Sequence, residues 1–189
     1  MPLIVNESQT VKAIAYNAEG KTSFVTTAIY KKMAHDWSVK LNSAYEQMYD
    51  GGGALGFIDG IRGETNWRKG NWQGYQKNDL DVTIDLKIPT TISTVTAGFL
   101  QDTRAWIVMP KQMVVQVSSD GVNYNTVSDT NNFLPIEDLK PQVKNVIATF
   151  LPAKVRFVKI KAMQYGKLPL WHESPGGDTH LFVDEIEIK

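Results

Sequence analysis

Leu80-Asp-Val-Thr-Ile-Asp-Leu86 decides the fold class. Leu80, Val82, Ile84 and Leu86 alternate with Asp81, Thr83 and Asp85, so one face is apolar and the other carries charge and hydroxyl. A repeat of two is the signature of a strand with one buried face, because successive side chains leave a strand on opposite sides. Met113, Val115 and Val117 repeat the pattern against Val114, Gln116 and Ser118. Ser119-Asp120-Gly121 reads as a hairpin turn, with Val122 to Val127 as the returning strand. Val158, Ile160 and Ala162 alternate with Lys159 and Lys161, while Val155 and Phe157 fall in the opposite phase, which suggests a bulge or a strand buried on both faces. Ile186 and Ile188 alternate with Glu185, Glu187 and Lys189. Ile92 to Gln101 and Trp106 to Met109 are further strand candidates.

Helical patterning is sparse. Asp36 to Tyr49 fits neither period throughout and reads as irregular with one helical turn; Asn145 to Phe150 is ambiguous. Many short strands with Gly-, Asp- and Asn-rich turns imply an all-β sandwich or barrel. Before a boundary near Lys31-Lys32-Met33, Thr10 to Tyr16 and Ser23 to Tyr30 flank Asn17-Ala-Glu-Gly-Lys21, a hairpin by its turn chemistry. A lone hairpin is marginal in water, so it is expected to pack on the domain C-terminal to it or to end a domain whose beginning is missing.

Composition narrows the function. The 189 residues carry 20 Lys plus Arg and 20 Asp plus Glu, a formal net charge of zero. Such a chain has no bulk attraction for nucleic acid or anionic membrane. An apolar fraction of 42% is enough for a sizeable core and argues against disorder. Without cysteine there is no disulfide, no thiol nucleophile and no Cys-ligated zinc. The opening Met1-Pro-Leu-Ile-Val-Asn-Glu-Ser8 is too short and polar for a signal-peptide core. No run approaches the roughly 18 apolar residues of a membrane helix.

From Gly51 onward the chain resembles the factor V/VIII type C (discoidin) domain and, within it, the family 32 carbohydrate-binding modules. The resemblance rests on Phe57-Ile-Asp-Gly-Ile-Arg-Gly-Glu-Thr-Asn-Trp67, the strand Asp79 to Leu86, Val115-Gln-Val-Ser-Ser-Asp-Gly121, Val155-Arg-Phe-Val-Lys-Ile-Lys161 and Phe182-Val-Asp-Glu-Ile-Glu-Ile188. Gly70-Asn-Trp-Gln-Gly-Tyr75, Gly98-Phe-Leu-Gln101, Trp171-His-Glu173 and Leu181-Phe-Val-Asp-Glu185 are similar to the module appended to bacterial family 20 β-N-acetylhexosaminidases, or chitobiases. Ser8 to Tyr16 with Val25-Thr-Thr-Ala28 resembles the last strands of the small β-sandwich domain preceding that module.

This resemblance implies a galactose-binding-like jelly-roll sandwich of about eight strands over residues 33–189. Residues 1–32 would be the C-terminal strands of a preceding β-sandwich domain. It implies a periplasmic, outer-membrane-associated or secreted location and an upstream catalytic domain.

It also implies a structural calcium held by Asp59, Thr65 and Glu185, with backbone oxygens near Gly56 and Ile61. A hard cation takes six to eight oxygens, and folded-back loops supply carbonyls. Ile61 stands where the family usually has a small polar residue, and the spacing to Thr65 is one residue longer than usual. The plainer alternative is that Asp59 caps a turn and Glu185 is a solvated strand carboxylate.

The aromatic residues suggest the ligand. Sugars stack a C–H face on an aromatic ring and need planar hydrogen-bonding groups around it. Trp72, Trp171, Tyr75 and Trp106 fall in or beside loops, with Arg68, Arg104 and His172 within a few residues. Trp72 and Trp171 are the leading candidates, while Trp67 is expected in the core. Each ring has core packing as its alternative, since Trp is usually largely buried. His172 has the alternative of bonding to backbone.

The Asp-Glu pair that hexosaminidases of this kind use as base and acid occurs once, as Asp184-Glu185, and the metal reading claims it. The barrel of about 250 residues that carries such chemistry does not fit in this chain. The expectation is therefore a non-catalytic carbohydrate-binding module for glycans bearing N-acetylglucosamine, galactose or N-acetylgalactosamine. The alternative is a structural module packed on its enzyme. Lipid binding is disfavoured, since the Leu168-Pro-Leu170 loop beside Lys167 is its one echo.

Overall fold

The computed structural model describes residues 3–30 and 32–189, so Met1, Pro2 and the Lys31 of the expected boundary lie outside the described residues. The chain divides into two compact units, Met1–Ala34 and His35–Lys189.

In the first unit β1 (Gln9–Ala13) pairs antiparallel with β2 (Thr26–Tyr30). Asn17 shapes the connection: its side-chain oxygen accepts from the backbone N–H groups of Glu19 and Lys21, at 3.0 and 2.9 Å. Neither strand has a buried residue, and Phe24 is 97% exposed. Two strands alone cannot exclude water from such side chains.

The second unit is an antiparallel β-sandwich of seven strands: β3 (Ser38–Leu41), β4 (Gln73–Tyr75), β5 (Leu80–Gln101), β6 (Gln112–Ser118), β7 (Asn125–Thr130), β8 (Gln142–Met163) and β9 (Leu181–Ile188). Strands β5 and β8 are 22 residues each and form one long ladder, Leu80 opposite Ala162 and Gln101 opposite Gln142. The ladder breaks register between Asp85 and Thr90, where the ribbon folds over. The first part of β5 pairs with β3, and the matching part of β8 with β6. The remainder of β5 pairs with β9. One antiparallel strand pair thus serves both layers. The fold-over accounts for the phase change at Val155, which is buried opposite Thr90, whereas Phe157 opposite Asp85 faces outward.

The inward positions of the two layers make one core. Leu80, Val82, Ile84, Val158 and Ile160 come from one side and Val95, Ala97, Phe99, Val183 and Ile186 from the other. Each of the Val, Leu, Ile and Phe side chains among them contributes about 1.5–3 kcal/mol by leaving water.

Three sequence expectations are corrected. The segment Asp36 to Tyr49, read as irregular with one helical turn, holds the strand β3 and a 3-10 turn at Gln47–Tyr49. Trp106 to Met109 is not a strand. Trp106 takes a left-handed conformation, φ 66°, after the 3-10 turn Thr103–Ala105, and Ile107 makes only isolated bridges to Asp102 and His180. The run is apolar because Ile107, Val108 and Met109 are buried, not because it joins a sheet. The returning strand after Gly121 begins at Asn125 rather than Val122. Asp120 accepts the N–H groups of Val122 and Asn123, which keeps those residues in the turn. Asn145 to Phe150 lies within β8.

Candidate functional site: the loop end of the sandwich

The acidic end of β9 anchors the loop that follows Gly56. Glu185 accepts the N–H of Gly60 at 2.8 Å, and Asp184 accepts that of Gly63 at 3.0 Å. Arg62 bridges Asp184 and Glu187. Asp59 accepts the N–H of Ile61 at 2.8 Å, so it does cap its turn. Glu185 is not a solvated carboxylate. It is 5% exposed, and burial, with the neighbouring Asp59 and Asp184 charges, pushes its pKa up to about 8. Taking a carboxylate out of water beside others disfavours its charge unless a cation offsets them.

Asp59 and Glu185 therefore meet at one loop. Thr65 is exposed on the same loop. No group of three or more His, Asp or Glu side chains gathers at metal-binding distance among the described residues. Two carboxylates plus backbone carbonyls fit a hard, oxygen-seeking cation and do not fit a nitrogen-seeking transition metal.

The aromatic candidates separate sharply. Trp72 is 2% exposed; its indole N–H donates to the Glu64 carbonyl at 3.0 Å, and it packs with Leu100, Ile107 and Phe182. Gly63 crosses that ring so closely that a Cβ there would lie 2.2 Å from it. Tyr75 is wholly buried in β4, its hydroxyl donating to Gln73 at 2.7 Å. Both are corrected from ligand contacts to core, because β4 and the preceding loop turn these rings inward.

His172 is corrected as well. It is buried and accepts the Ser174 N–H on Nδ1, which puts the proton on Nε2, 3.0 Å from the Thr103 carbonyl. It is a latch joining the 101–109 and 165–180 segments. Two backbone bonds strengthen that junction: His180 donates to the Trp106 carbonyl at 2.7 Å, and Val108 donates to that of His180 at 2.9 Å.

Trp171 is 48% exposed and tilts against His172, with ring centres 5.9 Å apart. Arg104 is exposed on the 3-10 turn next to Thr103. The latch thus sets Trp171 and Arg104 beside its two ends. Trp106 lies beneath, half-buried with Leu168, Val108 and Tyr165. Arg68 is occupied differently: its guanidinium stacks on Trp67, 4.1 Å from the ring centre. Trp67 is half-buried against Tyr49 and Phe182, close to the core position expected of it. In the loop that carried the lipid echo, Leu168 is buried and Leu170 is 93% exposed. Lys167 pairs with Asp178 at 2.7 Å.

Sequence reading gave His180 no role. Its Nδ1 is buried and, among the described residues, has no hydrogen-bond partner; its ring makes edge contacts with Tyr49 and Phe182, and burial lowers its pKa. A position just before the strand β9 carries no pattern that separates it from any other loop histidine.

The chain belongs to the F5/8 type C domain family, whose model matches residues 38–174. Several solved carbohydrate-binding modules are similar in structure. Chitosan-binding module 1 of a chitosanase/glucanase from Paenibacillus sp. IK-5 covers 85% of this chain and 99% of its own, at 14% identity and a TM-score of 0.51. CBM32-1 of a family 31 glycoside hydrolase from Clostridium perfringens covers 84% and 97%, at 20% identity and a TM-score of 0.51. CpGH89CBM32-6, produced by Clostridium perfringens, covers 83% and 95%, at 19% identity and a TM-score of 0.50. At these identities the likeness is one of fold. No curated protein matches the chain.

Proposed function

We propose that the chain is a non-catalytic carbohydrate-binding module that takes a sugar at the latched loop face, with Trp171 as the stacking ring and Arg104 as the adjacent hydrogen-bond donor. The carrying observation is that Trp171 alone of the two leading tryptophans presents its ring to solvent, on a loop fixed by His172. Membership of the family and the likeness to a module named for binding chitosan support the class of ligand. The expected ligands carry N-acetylglucosamine, galactose or N-acetylgalactosamine, and the attached enzyme would be a family 20 β-N-acetylhexosaminidase. Residues 1–32 would then end a preceding β-domain, and the location would be periplasmic, outer-membrane-associated or secreted. One small site binds weakly; millimolar to high-micromolar Kd corresponds to about −4 to −6 kcal/mol.

Calcium fits the loop–β9 junction, held by Asp59 and Glu185 with backbone oxygens near Gly56 and Ile61. Its role there would be structural, offsetting the buried acidic charge and fixing the loop. Added calcium should raise the melting temperature and chelator should lower it, with the response lost in Glu185→Gln.

Leu170, exposed beside Trp171, favours a second reading, in which this apolar tip contacts a neighbouring domain. Titration of the full chain with chitobiose, galactose and N-acetylgalactosamine, followed by tryptophan fluorescence, decides between them. Saturable change absent from Trp171→Ala supports the sugar site. Silence up to tens of millimolar with the fold intact supports the interdomain role.

A further inference from the structure

A cleft of about 380 Å³ lies on the outer face of the layer formed by β3, β5, β8, β6 and β7, lined by none of the loop residues above. The alternation that buries Val82 and Ile84 turns Thr83 and Asp85 outward. Strand register then builds two rows across three strands. Lys40, Thr83 and Lys159 form one; Ser38, Asp85 and Phe157 form the next. The turn after Ser118 closes one side. Asp120 locks it by accepting the Ser118 hydroxyl and the N–H groups of Val122 and Asn123, and Gly121 rests on the Phe157 ring. A Cβ at Gly121 would sit 3.1 Å from that ring. Tyr124 follows, with the Lys159 ammonium 5.6 Å from its ring centre.

The cleft's lining carries two lysines, Lys40 and Lys159, and one carboxylate, Asp85. Asp85 is committed to Arg156 by two hydrogen bonds, 2.8 and 2.9 Å, with Lys87 3.5 Å away. Asp81 is 3.2 Å from Lys161 and 3.8 Å from Lys159. Asp120 is occupied by its own turn. Lys40 makes no ion pair among the described residues, and Lys159 has only the longer of the two contacts to Asp81. Cations therefore outnumber carboxylates around a groove that also holds an aromatic ring and hydroxyls, in a chain whose net charge is zero. Such a combination suits a sugar bearing a negative charge, which needs a ring for its C–H face and ammonium groups for its anion.

We propose that this cleft is a second glycan subsite, distinct from the loop face, that takes an acidic sugar unit with its carboxylate or sulfate between Lys40 and Lys159 and its ring beside Tyr124. Choosing a sugar over another anion rests on the glycan-binding reading above; the location and the charge preference do not.

The test is an NMR titration of the full chain at low salt with trigalacturonate, with a sulfated disaccharide, with neutral chitotriose and with pentaglutamate. Trigalacturonate or the sulfated disaccharide should give saturable shifts at Thr83, Gly121 and Tyr124, weakened by added salt, and which of the two binds tells carboxylate from sulfate. Lys40→Gln with Lys159→Gln should weaken this binding about fivefold at an unchanged melting temperature. Tyr124→Leu should weaken it independently, and Trp171→Ala should leave it intact. Shifts confined to residues 165–177 would overturn the subsite and leave the loop reading standing. No shift with either anionic sugar, binding indifferent to the lysine substitutions, or equal binding of pentaglutamate would each overturn it. Chitotriose acting only at Trp171 would keep the two sites distinct.

Discussion

Two loops each carry a tryptophan next to polar residues, and they use it in opposite ways. In the 62–75 loop, Trp72 lies between Asn71 and Gln73, points inward and is 2% exposed. In the 165–177 loop, Trp171 precedes His172 and Glu173, points outward and is 48% exposed. The difference lies in what each loop rests on. The first is held against β9 by the Gly63 and Arg62 bonds to Asp184, and its ring fills the space over Leu100 and Phe182. The second already seats Leu168 beneath it and is fixed by His172, so its next ring has no core position left. Polar neighbours in sequence do not tell an exposed ring from a core ring.

Substitutions can break this comparison. Trp72→Ala should cost about 3–5 kcal/mol by leaving a large cavity, measured by denaturant unfolding. Gly63→Ala should cost about 2–3 kcal/mol, because the new Cβ meets a rigid indole that cannot move aside. Gly177→Ala is the control in the other loop. Its Cβ would meet Ser174 and Leu168 at 3.2 and 3.3 Å, a tight fit that a small shift relieves, so its cost should be far smaller. Equal costs at the two glycines would contradict the contrast drawn between the loops.

His172→Ala should cost about 1–2 kcal/mol, because it leaves the Ser174 N–H without its acceptor and the Thr103 carbonyl with only the Trp106 N–H. It should also weaken sugar binding, since the ring of Trp171 loses its support; binding left unchanged would mean that the latch does not position that ring.

Smaller effects are expected at the surface. Asp85→Asn should cost no more than about 1 kcal/mol at neutral pH, because the pair with Arg156 is open to solvent. The Arg156 hydrogen bonds hold the Asp85 carboxyl well below its ordinary value of 3.8. Its stabilisation is therefore present above that value and fades as pH falls below it, so the wild-type and Asn melting curves should converge in acid. Trp171→Ala should change stability by no more than about 0.5 kcal/mol, as an exposed side chain does. Loss of sugar response at unchanged stability is the pattern that separates it from Trp72.

Much of the sandwich was legible because half-buried strands write themselves in period two. Leu80 to Leu86 and Met113 to Val117 face the core in the phase their sequence shows. The fold-over of β5 and β8 was legible only as a broken phase at Val155 and Phe157, since which layers a strand visits depends on its partners. Trp106 to Met109 misled because a buried loop and a buried strand share a composition; the left-handed Trp106 has no sequence mark. In the acidic junction, resemblance alone pairs Asp59 with Glu185, and nothing local in the sequence marks Arg62 as the bridge between Asp184 and Glu187. A contact across more than 120 positions leaves no local pattern.

Sequence by itself determined the strands that alternate in period two, the turn chemistry and the want of cysteine chemistry, because these depend on neighbours one to four positions apart. Tertiary structure decided which tryptophan meets solvent, which histidine is a latch and where positive charge gathers on the outer sheet face. Those outcomes depend on what lies across a layer or beneath a loop, and side chains far apart in the chain settle them together.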